Sequence, residues 1–127
     1  MPNQITLLGV GSSSGTPVVG CHCSTCESTD PKNKRTRCSS LITLSNGKNI
    51  LIDASPDLRE QSLREGLRSI DAVLFTHSHA DHCHGIDDLR AFCQINQKQI
   101  PIFSNKFAID QIVNKFENAM IEPKNYW

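Results

Sequence analysis

The sequence has no net charge, no long apolar run, no internal repeat and no low-complexity tract. Each absence narrows what the chain can be. Thirteen Lys and Arg balance thirteen Asp and Glu, so a globally basic nucleic-acid binder is not expected. No apolar stretch approaches the ~20 residues of a membrane span. The segment Met1–Gly15 lacks the basic opening of a secretory signal, which makes a cytoplasmic location the default expectation. With 38% apolar and 20% charged residues, the chain is not a disordered tail, a collagen or a coiled coil. Its 127 residues fit one domain of the usual ~50–250.

The zero balance conceals an asymmetry. Residues 1–50 carry five cations and two anions, and residues 51–127 carry eight cations and eleven anions. Four of the first five cations fall in Lys32–Arg37, which reads as a solvated loop or, more sharply, as a local phosphate contact. Six cysteines could form a disulfide framework, but Cys21, Cys23 and Cys26 pack three thiols into six residues. Thiols this close converge on a common partner, and without a signal peptide a metal suits them better than oxidation.

Along the chain, residues 5–8 predict a strand ending at Gly9. Residues 11–38 form a long Gly/Ser/Pro/Cys-rich loop, of the kind that is usually functional. The glycine–serine run Gly11–Gly15 lacks the Lys-Ser/Thr of a P-loop, so a strand-exit turn explains it better. Residues 40–44 and 49–52 read as paired strands around an Asn46-Gly47 type I′ turn. Ser55-Pro56-Asp57 is a helix start with Ser55 as N-cap and Pro56 at the first helical position, and Gly66 is its stop. Strands are expected over 72–75 and 100–103. A helix is expected over 87–94, and another is capped by Asn105 with Ile109, Ile112, Val113 and Phe116 at helical spacing. After Ala119 the chain turns irregular. A hairpin followed by alternating strands and helices predicts an α/β or α+β fold with helices against a mixed sheet.

The decisive stretch is Thr76-His77-Ser78-His79-Ala80-Asp81-His82-Cys83-His84-Gly85, which holds four of the five histidines. It follows a buried strand, and open α/β sheets place ligand sites at such strand ends. Imidazole and carboxylate are natural ligands of zinc, manganese and iron. His77 and His79, two apart on extended chain, can face one ion. Asp81 and His82 follow as the loop turns toward a helix and can reach a second, ~3.5–4 Å away in two-metal sites. His84 lies off this pattern. Cys83 and Cys93 read as packing residues.

This stretch resembles the HxHxDH signature of the metallo-β-lactamase superfamily. Gly9–Pro17, Gly20–Cys26, Lys34–Ser40, Leu51–Arg59 and Gly85–Arg90 extend the likeness to its PhnP-like branch of cyclic-phosphate phosphodiesterases, over roughly residues 5–104. The resemblance implies the first αβ half of an αββα sandwich. It implies His77 and His79 on one divalent ion, Zn²⁺ or Mn²⁺, and Asp81 and His82 on the other, with Asp81 counted as catalytic. Asp53 is implied to tie down the metal loop, although its place before Ser55 also suits helix capping. Cys21, Cys23 and Cys26 are implied ligands of a structural Zn²⁺ whose family fourth ligand is a distant histidine. No histidine follows His84, His22 would be strained in that role, and Cys38 is a candidate substitute.

Family members have a second half that supplies further histidines and a bridging aspartate. Residues 1–127 are therefore expected to be the N-terminal half, a truncated or split version. Its exposed sheet face would meet a homodimer partner or a complementing C-terminal half. The implied activity is hydrolysis of a small, cyclic phosphate ester by a metal-bridging hydroxide. The alternatives are ribonuclease Z-like processing of tRNA 3′ ends, which wants a more basic surface, and a non-catalytic remnant completed by a partner chain. Thiolesterase and β-lactam hydrolysis share the histidine motif but fit the flanking motifs less well.

Overall fold

A computed structural model describes residues 1–120; residues 121–127, expected to be irregular, lie outside the described residues. Five strands form one mixed sheet in chain order: β1 (Gln4–Gly9), β2 (Ser39–Thr43), β3 (Asn49–Ile52), β4 (Ala72–Leu74) and β5 (Ile102–Phe103). β1, β2 and β3 pair antiparallel, and β3, β4 and β5 pair parallel. The parallel strands are joined through helices, as such crossovers require: α1 (Leu58–Glu65) between β3 and β4, and α2 (Ala80–Cys83) and α3 (Leu89–Asn96) between β4 and β5. α4 (Lys106–Lys115) and α5 (Glu117–Met120) follow β5. The expected mixed α/β architecture is what the chain adopts.

Strand alternation divides the sheet into two unlike faces. Leu8, Leu41, Leu51 and Val73 point to one side and pack with Leu58, Ile70, Ile86, Leu89, Phe92 and Ile112 into a single core. Each such side chain contributes about 1.5–3 kcal/mol by leaving water. The other side carries Ile5, 68% exposed, Leu7, 63%, Leu74, 39%, and Phe103, 52%. Registers Ile5↔Ile42↔Ile50 and Ile52↔Leu74↔Phe103 place these side chains in rows across the sheet. Among the described residues nothing covers this apolar face.

Local expectations are met in part. Gly66 ends α1 in the left-handed region at φ 62°, and Asn105 caps α4 by accepting from the Ala108 amide at 2.8 Å. Cys83 and Cys93 are buried packing residues. The turn between β2 and β3 is not type I′. That type needs positive φ at both central residues, yet Gly47 is positive at 84° and Asn46 is not. The Gly47 amide instead bonds the Leu44 carbonyl at 2.8 Å and Leu44 N bonds Lys48 O at 2.8 Å, giving a three-residue loop with glycine in the left-handed position. α1 begins at Leu58, later than expected. The Ser55 hydroxyl accepts from the Asp57 amide at 3.2 Å in a preceding turn, and the N-cap position falls to Asp57, whose carboxylate makes no cap bond. In α4 it is Ala108 and Ile112 that reach the core, while Val113 faces out.

Candidate metal centre

The loop after β4 is clamped onto the segment after β3. Phe75 N extends the sheet to Phe103 O at 2.8 Å, Ala54 N donates to His82 O at 2.9 Å, and Gly85 N donates to Ala54 O at 2.9 Å. The backbones come so close that a Cβ on Gly85 would lie 2.0 Å from Ser55 O, so glycine is required there for space rather than for an unusual φ. Below the loop, Lys115 Nζ donates to Ser78 O at 2.7 Å and the buried Cys83 thiol to the same oxygen at 3.2 Å. The Ser78 hydroxyl donates to Gln111 Oε1.

His79 stands at the N-cap of α2, and Asp81 and His82 lie in its single turn. The sequence gives little sign of so short a helix. It brings His82 back against His77, with ring centroids 4.1 Å apart, while His77 and His79 are 4.6 Å apart edge to face. Asp81 Oδ2 is 3.1 Å from His82 Nε2. The four expected loop residues are thus linked pairwise, His77 to His79 and His82, and Asp81 to His82, but among the described residues no three of their donor atoms converge within 4.8 Å of one another. His84 does not join them; it is exposed, with its ring against Phe116 at 5.5 Å.

Asp53, 2% exposed, anchors the cluster from behind. It sits at φ 60°, a conformation Asp tolerates better than most residues. Its Oδ1 accepts from Thr76 N at 2.8 Å. Its Oδ2 accepts from the Thr76 hydroxyl at 2.7 Å and from His82 Nδ1 at 2.7 Å. The helix-capping role is not taken; the carboxylate serves the loop.

The donor set suits a cation. A carboxylate only accepts, so the His82 ring proton belongs on Nδ1, facing Asp53. That leaves Nε2 as a bare lone pair 3.1 Å from Asp81 Oδ2. Two acceptors at this distance repel unless a proton or a metal ion lies between them.

The second cluster is also gathered. The sulfurs of Cys21, Cys23 and Cys26 all lie within 4.8 Å of one another, a spacing that could hold an ion, and among the described residues no fourth donor joins them. The Cys26 amide facing its sulfur, followed by hydrogen bonding with the Cys21 and Cys26 thiols, lowers Cys23 to about 7. At Cys26 the Val18 amide pulls downward, but the Cys21 thiol, desolvation and Cys23 outweigh it and the group moves up. One thiol of the three thus ionises easily, as metal binding requires. Neither candidate fourth ligand is in place. His22 turns to Glu27, with Nδ1 2.9 Å from Oε1. Cys38 does not join the three thiols either; desolvation, then the charges of Asp53 and Asp81, push its own thiol up.

The basic run resolves differently from either expectation at one position. Arg37 grips Asp57 through Nε and Nη2 at 2.9 and 2.8 Å, and its amide donates to Asp57 Oδ2 at 2.9 Å. The guanidinium's hydrogen bonds hold the Asp57 carboxyl below the ordinary carboxylate range, against partial desolvation. Lys32, Lys34 and Arg35 remain exposed. Sequence reasoning missed Arg37–Asp57, which join residues 20 apart with no local pattern. It also missed Thr76, whose adjacency to the histidine run was the available signal.

A mixed five-stranded sheet with a histidine–aspartate loop after β4 defines a class, and comparison with known proteins agrees. Residues 48–125 match the Beta-lactamase superfamily domain, and the chain belongs to that superfamily, with the metallo-β-lactamase fold. Within it, the chain is similar to the crystallised diphosphatase from the PhnP family, with TM-score 0.86 and 40% identity over 91% of this chain and 47% of that one. It is also similar to Zn²⁺-bound PqqB from Methylobacterium extorquens, with TM-score 0.76 and 25% identity over 93% of this chain and 42% of that one. An octanoyltransferase of Porphyromonas gingivalis is 50% identical over 106 residues, 84% of this chain but 21% of that protein. The chain therefore spans about a fifth of that relative and less than half of either crystallised protein.

Proposed function

We propose that residues 1–127 form the first half of a dinuclear metal hydrolase acting at phosphorus, on a small and by preference cyclic phosphate ester. The observation that carries this is the pairing at His82: Nδ1 is held by buried Asp53 while Nε2 faces Asp81 at 3.1 Å. His77 and His79 would hold one divalent ion, Zn²⁺ or Mn²⁺, and Asp81 and His82 the other. Such ions, when bound, activate water and offset charge on phosphoryl oxygens. The chain's own part is to place the donors and keep them oriented, which Asp53 does from the core. Cys21, Cys23 and Cys26 would hold a structural Zn²⁺ that orders the 11–38 loop.

The likeness to a PhnP-family diphosphatase supports phosphorus as the reacting centre. The uncovered apolar face supports completion by a second αβ half, bringing the histidines that this sequence lacks after His84. Processing of tRNA is the weaker alternative, since one of the four clustered cations is spent on Asp57 and the net charge is zero. The test is hydrolysis of bis(p-nitrophenyl) phosphate with added Mn²⁺ or Zn²⁺. The 127-residue chain is assayed alone and mixed with the second half of the PhnP-family relative. Turnover lost in the His77→Ala/His79→Ala double variant is expected. No turnover above that variant in either arrangement would overturn the proposal.

A further inference from the structure

We infer that Thr76 is a positioning residue that sets the tautomer of His77, passing the constraint of Asp53 one residue further along the loop. The role in metal binding rests on the function proposed above; the tautomer itself does not.

The logic is one of proton counting. Thr76 Oγ1 lies 2.7 Å from Asp53 Oδ2. The carboxylate cannot donate, so the single hydroxyl proton points to Asp53. The same hydroxyl oxygen is 2.9 Å from His77 Nδ1. With its proton spent, it can only accept, so His77 carries its proton on Nδ1. A neutral ring protonated there has Nε2 as its one free lone pair, the nitrogen left for an ion. His82 reaches the same state directly, through Nδ1 at 2.7 Å from the same carboxylate oxygen. One oxygen of one buried side chain thus dictates which nitrogen two histidines offer, on two different ions of the proposed pair. The Thr76 amide bond to Oδ1, 2.8 Å, does not depend on the side chain. Removing the hydroxyl therefore leaves the backbone clamp in place.

The test uses imidazole ¹⁵N NMR of the metal-free 127-residue chain at about pH 8.5, above the ordinary histidine range near 6.5. Wild type, Thr76→Val and Thr76→Ser are compared. In wild type, His77 should show a protonated Nδ1 and a lone-pair Nε2, and His82 a protonated Nδ1. Thr76→Val should move His77 to a mixture of tautomers and leave His82 as it was, which also serves as the check that the loop is folded. Thr76→Ser should restore the wild-type His77 pattern. A wild-type His77 protonated on Nε2 would overturn the inference. So would a His77 spectrum unchanged in Thr76→Val, or a serine variant that behaves like valine. Because no metal is present, failure here would leave the hydrolase proposal standing. Absence of turnover would in turn leave the tautomer result standing.

Discussion

Asp53 can be replaced in two ways that separate its structural duty from its chemical one. Asp53→Ala removes three accepted hydrogen bonds from a site that is almost wholly buried. Thr76 N and His82 Nδ1 lose their acceptor, and a stranded buried donor costs about 1–3 kcal/mol. Alanine at φ 60° adds about 1 kcal/mol. With partial relief from water at the exposed Thr76 side, the expected loss is about 3–5 kcal/mol, a large share of the ~5–15 that holds a domain together. Asp53→Asn keeps the shape, tolerates the backbone, and retains a carbonyl oxygen for Thr76 N. Its amide NH₂ now faces His82, so the ring must carry its proton on Nε2, toward Asp81. The fold should lose only about 1–2 kcal/mol, while the lone pair meant for an ion is blocked. Urea unfolding followed by far-ultraviolet circular dichroism should rank wild type, Asn and Ala in that order. Metal analysis should show the loop ions weakened in both variants, by ~10-fold or more. An alanine variant no less stable than the asparagine variant would refute the accounting of bonds at this carboxylate.

Two further outcomes are expected. Asp57 is held below its ordinary pKa by Arg37, so the pair stabilises the fold above the unfolded value of about 4 and loses that stabilisation as pH falls through the lowered one. Wild type should exceed Asp57→Asn by about 1–2 kcal/mol at neutral pH, and the two should converge in acid. A gap that stays constant as pH falls far enough below the ordinary carboxylate range for the Asp57 carboxylate to take up its proton would show that Asp57 acts by something other than its charge. Purified protein should carry one tightly held zinc that a Cys21→Ser/Cys23→Ser/Cys26→Ser variant lacks, with Cys23 alkylating half-maximally near its value of about 7 once that zinc is stripped. Equal zinc in the triple variant would remove the structural site.

What the sequence by itself determined was whatever depends on short separations. Strand alternation, the Gly66 stop and the Asn105 cap were legible because each is set by a few adjacent residues. So were the clustering of three thiols across six positions and the nearness of His77 to His79 and of Asp81 to His82 within six positions of one loop. Residue chemistry at close spacing leaves few ways to arrange the donors. What only the tertiary structure decided involves partners distant in sequence. Asp53 meets Thr76 and His82 across 23 and 29 residues, and Arg37 meets Asp57 across 20. Cys38, the candidate substitute for the family's fourth ligand, does not join the thiol cluster among the described residues. None of these pairings has a local signal, since each exists only where the sheet has brought the ends of β1, β2, β3 and β4 together. The Asn46-Gly47 turn shows the same limit at short range: its residues suit type I′, but the register of β2 against β3 sets the loop length and hence the turn. The physical reason is common to all of them. Local sequence fixes which conformations and ligands are available, and packing of the core selects which of them meet.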